Sequence, residues 1–573
     1  PLLRQKADEV LARSALRPGS YAYKALVHIM ETLPRDDLLQ ASVDEIVEIS
    51  TAVLALMERQ QVRLLVRRER FNRFYSCLVY IPRDRFNTEN RQKIQDLLLR
   101  AFQGEQLDYA VQISESRLAR LQLLIRPRPG AQPDPDLRAL EARIVEAVRS
   151  WHDGLREILV QKVGEERGLD WAERIGKAFP AAYEEDVSPW VASFDVERIA
   201  ELGDESDLKM SLYRPRSKDS DIIRFKLFKR GTPIPLSLVL PILEHLGLEV
   251  INERPYQLHL GEEDQVWVQD YDMLFARGDQ LELDRVRDSF TEAFINTWRG
   301  ETHSDAFNRL ILASRLHWRQ VTVLRAYCRY LLQTGIPFSL HYMATTLARH
   351  PLLARLLVAY FDALFNPERE SESDYRRELA AKRLDADIDA LLREGGHSDK
   401  VFMEYLRTAM DARAGGTREE EAEAIGQAFI RGLNAVSSLD EDRILHVFYA
   451  VIRATLRTNF YQQDERGDVR SYISFKLDPS RVPDLPAPRP YREIWVYSPR
   501  VEGVHLRMGP IARGGLRWSD RKADFRTEVL GLMKAQNVKN TMIVPVGAKG
   551  GFVPMHLPES GGREAIMAEG IAC

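Results

Sequence analysis

The chain has 573 residues, 45% hydrophobic and 29% charged, with a net charge of −4. That length allows several domains with ordinary cores, and that charge excludes a globally basic nucleic-acid binder. No apolar run is long enough for a membrane span. The three cysteines (Cys77, Cys328, Cys573) match no metal or disulfide spacing, so the reading expects a protein of the reducing cytoplasm with no metal site.

Residues 1–65 read as helical, with apolar residues at helical spacing in "SVDEIVEISTAVLALMERQ". The opening "PLLRQKADEVLARSAL" reads as mid-helix and the final "GGREAIMAEGIAC" as a helix without a stop signal. The expectation is therefore an internal piece of a longer protein. Residues 66–130 form a first α+β unit. The run "FYSCLVYI" is a strand, Asn87 or Thr88 caps a helix facing inward through Ile94, Leu97, Leu98, Ala101 and Phe102, and Gly104 stops it. Two more strands follow, at "LDYAVQI" and "RLQLLIRP", in the order β-α-β-β. "PRPGAQPDPD" is a linker, and residues 131–204 a helical connector whose first helix shows one face from Leu137 to Ile158.

A second α+β unit spans 205–278, in the order β-β-α-β-β, with Pro241 inside its helix "SLVLPILEHLG". Residues 279–457 read as helical throughout. One long helix is expected from a Ser304 or Asp305 cap to a Gly335 stop, and the charge run Arg418–Glu423 is expected to be a solvated helix start. His303 and His317 lack a Cys or His partner and read as ordinary core or surface histidines. From 458 to 573 the texture becomes α/β. "EIWVYSPRVEGVHLRM" reads as a hairpin with Val504, Leu506 and Met508 on one face.

Chemistry concentrates in "GPIARGGLRWSDRKADFRTEVLGLMKAQNVKNTMIVPVGAKGG". Between 513 and 549 there are five more cations than carboxylates, which suits a small anionic ligand. The cations are Arg513, Arg517, Arg521, Lys522, Arg526, Lys534, Lys539 and Lys549. Asp520 or Asp524 can cap a helix with Phe525, Val529, Leu532 and Met533 inside. Gln536 and Lys539 then share a face at its end. "TMIVPV" reads as a buried strand and "GAKGG" as the loop leaving it, where glycines let backbone approach a ligand. Arg517 is expected to tie its loop to an acid such as Asp520, and Lys534 to lie on the surface. Neither a phosphate loop nor a G-x-G-x-x-G fingerprint is present.

These residues, "ARGGLRW…LMKAQNVKNTMIVPVGAKGG", resemble the substrate domain of the glutamate/leucine/phenylalanine dehydrogenases, with their K-G-G-x-R, Q-x-x-K and P-x-G-G-A-K-G-G. "TNFYQ", "SFKLDP" and "TLPRDDLLQ" are similar to the large bacterial NAD-specific glutamate dehydrogenases, so the resemblance covers most of the chain. The fold it implies is α+β multidomain: two ACT-like regulatory units, a large helical region, and the incomplete start of an α/β substrate domain. It implies oxidative deamination of L-glutamate to 2-oxoglutarate and ammonia. Lys549 would be catalytic, and Arg513, Gly514, Gln536 and Lys539 would bind substrate. Arg513 stands where smaller relatives carry lysine, and a guanidinium can hold a carboxylate bidentately. A lysine does such chemistry from its amine form, which burial and neighbouring cations favour. The resemblance further implies NAD held by a domain downstream of these residues, an amino-acid effector at the ACT-like units, and a homo-oligomer. A second reading is an amino-acid-sensing and assembly module without activity of its own.

Overall fold

The computed structural model describes residues 2–56, 61–113, 117–215, 221–262, 264–276, 281–371, 374–395, 400–540, 546–558 and 560–573. Side chains at 84, 370, 371, 374–380, 393–395 and 537–540 lie outside that description. The chain divides into two compact units, Pro1–Glu197 and Arg198–Cys573.

In the first unit four antiparallel strands stand in the order β1-β2-β4-β3. They are β1 (Arg63–Arg68), β2 (Tyr75–Pro82), β3 (Gly104–Ile113) and β4 (Leu118–Pro127). Every residue of β2 is buried, because the sheet is covered on both faces. Cys77, Val79 and Ile81 join a core with Ile94 and Leu98 of the Thr88–Ala101 helix, while Leu78 and Tyr80 join Ile29, Leu33, Val53 and Leu56 of the N-terminal helices. A strand buried on both faces reads as a continuous apolar run, which is why "FYSCLVYI" is legible. Strand β1 is an addition to the expected β-α-β-β order. Its "RLLVRR" carries no alternation, and its Arg67 is buried only because Asp37 accepts from it at 2.6 Å. Asn87 caps the Thr88–Ala101 helix, and the chain turns at Gln103 rather than at Gly104, with φ +48° at Gln103. The helix expected from 137 to 158 is two, Leu137–Ala147 and Trp151–Val163, because Ser150 caps the second.

The second unit opens with β5 (Lys209–Tyr213), β6 (Ile223–Arg230), the Leu236–His245 helix containing Pro241, β7 (Leu248–His259) and β8 (Gln265–Phe275). Their order, β5-β6-β8-β7, repeats the topology of the first sheet. Helices follow from Leu283–Trp298 to Leu439–Ala454. The long helix expected from 304 to 335 is broken. A short turn, Ala306–Asn308, and the Arg309–Ala313 helix end where Arg315 takes φ +53°. His317 then caps the Trp318–Thr334 helix in a capping box with Gln320, and Gly335 ends it in the left-handed conformation. The Arg418–Glu423 run does start a helix, capped by Thr417. It is not wholly solvated, since Glu421 is buried between Arg369 and Arg413.

The C-terminal sheet has the order β13-β15-β12-β11-β10-β9, with β14 also on β15. Its strands are β9 (Thr455–Thr458), β10 (Ile473–Leu477), β11 (Arg492–Tyr497), β12 (Val501–Arg507), β13 (Ala512–Arg513), β14 (Leu516–Trp518) and β15 (Val546–Pro554). The expected hairpin is β11–β12, with Val504 and Leu506 buried. Strands β13 and β14 run parallel to β15, joined to it through the Phe525–Asn540 helix. One hydrophobic core runs through β5 to β8, the helices and this sheet. The whole is an α+β multidomain chain.

Candidate functional site

The Phe525–Asn540 helix buries Phe525, Val529, Leu530 and Met533; Leu530 is inside, and the expected Leu532 is only partly covered. The helix begins directly after Asp524, but that carboxylate pairs with Arg521 instead of capping it. Its first turn is fastened from elsewhere in the chain. Gln333 Oε1 accepts from the Arg526 amide, and Gln333 Nε2 donates to the carbonyls of Lys522 and Ala523. The Arg526 guanidinium, 1% exposed, bonds both oxygens of the fully buried Glu493 on β11, at 2.6 and 2.8 Å. Tyr330 donates to the same carboxylate.

"GAKGG" is not a loop. Residues 547–551 lie within β15, while 541–545, all but the last residue of the expected strand, lie outside the described residues. Small residues make this possible. A Cβ on Gly550 would lie 2.3 Å from Leu516, and one on Gly551 2.4 Å from Val529. At Gly514 a Cβ would lie 1.5 Å from the Ala548 carbonyl oxygen, so only glycine lets β13 and β14 run along the edge of β15.

The register decides which way each cation points. Arg513 lies beside Gly547 and Arg517 beside Gly551, and laterally paired residues face the same side of a sheet. The Gly551 side meets Val529 of the helix, and Arg517 Nε reaches Glu528 of the helix at 2.7 Å. The face holding Gly547, Lys549 and Gly551 is therefore the helix face, and both Arg513 and Lys549 are on it. Their Cα atoms are separated by about one strand spacing laterally and two residues lengthwise, roughly 8 Å. From Val529 to Gln536 the helix rises about 10.5 Å, the length of about three strand residues. Running back along β15, it brings the partly buried Gln536 level with Ala548–Lys549. The side chain of Lys539 lies outside the described residues; its backbone belongs to the last turn of the helix.

Pairing reduces the eight cations to a few. Arg526 is held by Glu493, Arg521 by Asp524, and Lys522 donates to the Met555 carbonyl. Arg517 is tied to Glu528 and not to Asp520. Arg513, Lys534 and Lys549 have no hydrogen-bond or ion-pair partner among the described residues. Arg513 and Lys534 are exposed; Lys549 is partly buried. Two unneutralised cations on one face, under a helix end carrying an amide, are groups of the kind that can pair with an anion. Local reading does not find Glu528, Glu493 or Gln333. Their partners are 11 to 193 residues away in sequence, and only the packed sheet brings them together.

Both histidines have partners within the fold. His317 caps its helix, and His303 Nδ1 is 2.7 Å from the Tyr497 hydroxyl, where burial pushes the imidazole down to about 4. No group of three or more His, Cys, Asp or Glu residues among the described residues could hold a metal. The β–α turn of this sheet, Ser519–Asp524, contains no glycine and carries Asp520 and Asp524, so it does not fit a dinucleotide pyrophosphate. Among the described residues no helix is long and apolar enough to cross a membrane.

Comparison with known proteins bears on the same stretch. The family model described as the bacterial NAD-glutamate dehydrogenase catalytic domain matches residues 428–573. The glutamate dehydrogenase ACT2 and ACT3 domains match 63–152 and 207–286, the two units of shared topology. Helical motifs 1, 2 and 3 of glutamate dehydrogenase match 1–59, 158–202 and 302–367. The NAD-specific glutamate dehydrogenase of Halomonas elongata is 42% identical over 574 residues, covering 100% of this chain and 33% of that protein. That of Pseudomonas aeruginosa is 41% identical, with the same coverage. That of Mycobacterium tuberculosis is 35% identical over 599 residues, covering 100% of this chain and 34% of its own length. The chain thus spans about a third of the length of these relatives.

Proposed function

The chain belongs to the bacterial NAD-glutamate dehydrogenase family, and from that premise we propose that residues 458–573 build the glutamate end of the active site for oxidative deamination to 2-oxoglutarate and ammonia. The observation that carries this is the placing of Arg513 and Lys549, without partners among the described residues, on the face of β15 covered by the helix that bears Gln536 and Lys539. Gln536, Lys539 and the backbone at Gly514 hold the α-carboxylate. Arg513 holds the side-chain carboxylate, its planar fork matching two oxygens. Two anchored carboxylates leave Cα with one orientation.

NAD, given in the relatives' names, would accept the Cα hydride. No residue of this chain is assigned to it, and no step is derived through it. Once Cα is at the imine level, water adds to it. The Lys549 amine takes the proton of that water, and the resulting ammonium faces the new oxygen. The Lys549 ammonium then returns that proton to nitrogen, the amine so restored takes the remaining hydroxyl proton as the C–N bond breaks, ammonia leaves and 2-oxoglutarate remains. The expected result for Arg513→Gln in the intact protein is a KM for glutamate raised about 10-fold to 100-fold, the worth of a charge-assisted hydrogen bond. Preference for glutamate over norvaline, which lacks the second carboxylate, collapses with it. An unchanged preference removes Arg513 from the pocket.

The two ACT units favour an added regulatory reading: a free amino acid as effector, in a cytoplasmic homo-oligomer. A melting temperature of the chain indifferent to every amino acid tried would remove the effector from this reading.

A further inference from the structure

The face of the C-terminal sheet opposite the helix holds a second cationic cluster that substrate binding does not use. Phe475, Leu477, Trp495 and Leu506 point into the core. Alternation therefore turns Lys476, Arg492 and Arg507 outward. The register sets Lys476 directly opposite Arg457 of β9, and Arg492 directly opposite Arg507. Like charges directly opposite on neighbouring strands are destabilising, and here two such pairs are adjacent. With strands about 4.8 Å apart and same-face residues about 6.7 Å apart along each, the four cations fall in a patch roughly 10 to 15 Å across.

Neutralisation of this patch is slight. Asp478 lies 3.5 Å from Arg492 and is shared with Arg481. Arg492 otherwise donates to the Tyr491 carbonyl and Arg507 to that of Pro510. Arg457 and Lys476 have no hydrogen-bond or ion-pair partner among the described residues. Desolvation, then the fields of Arg457, Arg507 and Arg492, lower the Lys476 pKa, and no carboxylate opposes them. At the rim, the Arg492 guanidinium sits 4.4 Å from the centroid of the half-exposed Tyr491 ring.

We propose that this outer face binds a compact phosphate-bearing anion of the pyrophosphate type, held by Arg457, Lys476, Arg492 and Arg507. Three guanidinium forks and one ammonium in so small an area match the several charged oxygens of linked phosphates, where a single carboxylate would leave most of the charge unanswered. Bound anion removes the repulsion that the empty face carries. The anion could be free polyphosphate or the phosphate end of a nucleotide, for which Tyr491 offers a stacking surface.

The test is calorimetric titration of the full chain with sodium pyrophosphate, against sodium chloride at matched ionic strength, with melting temperature in parallel. Saturable binding of one pyrophosphate is expected. Arg457→Gln and Lys476→Gln should each weaken it about tenfold, a change of about 1.4 kcal/mol. Each should also raise the melting temperature of the anion-free protein, because a like-charge neighbour is gone. Lys549→Ala should leave pyrophosphate binding unchanged, which separates this site from the substrate reading. Tighter binding of ADP than pyrophosphate, lost in Tyr491→Ala, identifies a nucleotide source; equal affinity identifies free polyphosphate. A response no larger than that to chloride, or one that survives both charge removals, overturns the proposal.

Discussion

Lys549→Ala in the intact protein is expected to lower kcat for glutamate deamination about 10³-fold, with the KM for glutamate changed far less. Lys549 is on the helix face of β15 beside Arg513, but the carboxylates are assigned to Arg513, Gln536 and Lys539. Its loss should therefore remove proton transfer and oxyanion stabilisation more than binding. Lys549→Arg should not restore activity, because a guanidinium is not deprotonated near neutral pH and cannot take a proton from water. Added methylamine should partly rescue the alanine variant by entering the space left by the side chain. A kcat within about tenfold of the parent, or rescue by arginine, would sink the assignment. The measurement is steady-state kinetics across pH, in parallel with binding of 2-oxoglutarate.

The second large effect belongs to the fold. Glu493→Ala should destabilise the second unit by about 3–5 kcal/mol, because it leaves the Arg526 guanidinium charged and without a carboxylate in a site 1% exposed. The natural probe is Trp495, which is fully buried on the same strand and stacks on Phe525, the first residue of the helix. A urea titration followed by tryptophan fluorescence should show its transition moved to lower denaturant. The double change Glu493→Leu with Arg526→Met should recover most of the loss, since an apolar pair of similar volume needs no desolvated charge. If the single variant matched the parent, the pair would not be holding the helix. The consequence reaches the site, because the helix fastened by Arg526 and Gln333 at one end carries Gln536 and Lys539 at the other. Its register over β15 sets where these two proposed carboxylate ligands stand.

Much of this is legible in the sequence for local reasons. Gly335 ends its helix because a left-handed residue is needed there, and glycine adopts that conformation freely. The β11–β12 hairpin follows from strict alternation about a short turn. The order Arg513, Gly514, Gln536, Lys549 is readable from the chain alone, since spacing along one strand–helix–strand unit is local information. The breaks at 148–150 and 314–317 escape such a reading because the apolar period continues across them; the capping side chains of Ser150 and His317 decide there.

The sequence by itself determined the two α+β units, the helical region, the cation-rich segment and the family resemblance. Only the tertiary structure decided which cations are available. Arg526 and Arg517 look no different in sequence from Arg513, yet Glu493 and Glu528 neutralise them, and both pairings depend on how strands and helix stack. The same holds for "GAKGG". Three glycines in five residues suggest a loop, because glycine costs a strand entropy. Here their missing side chains admit Leu516 and Val529 against β15, while Gly514 does the same on the neighbouring strand edge, and Lys549 is fixed in a strand. Spacing along the chain is a property of sequence; charge neutralisation and close approach are properties of neighbours that folding alone supplies.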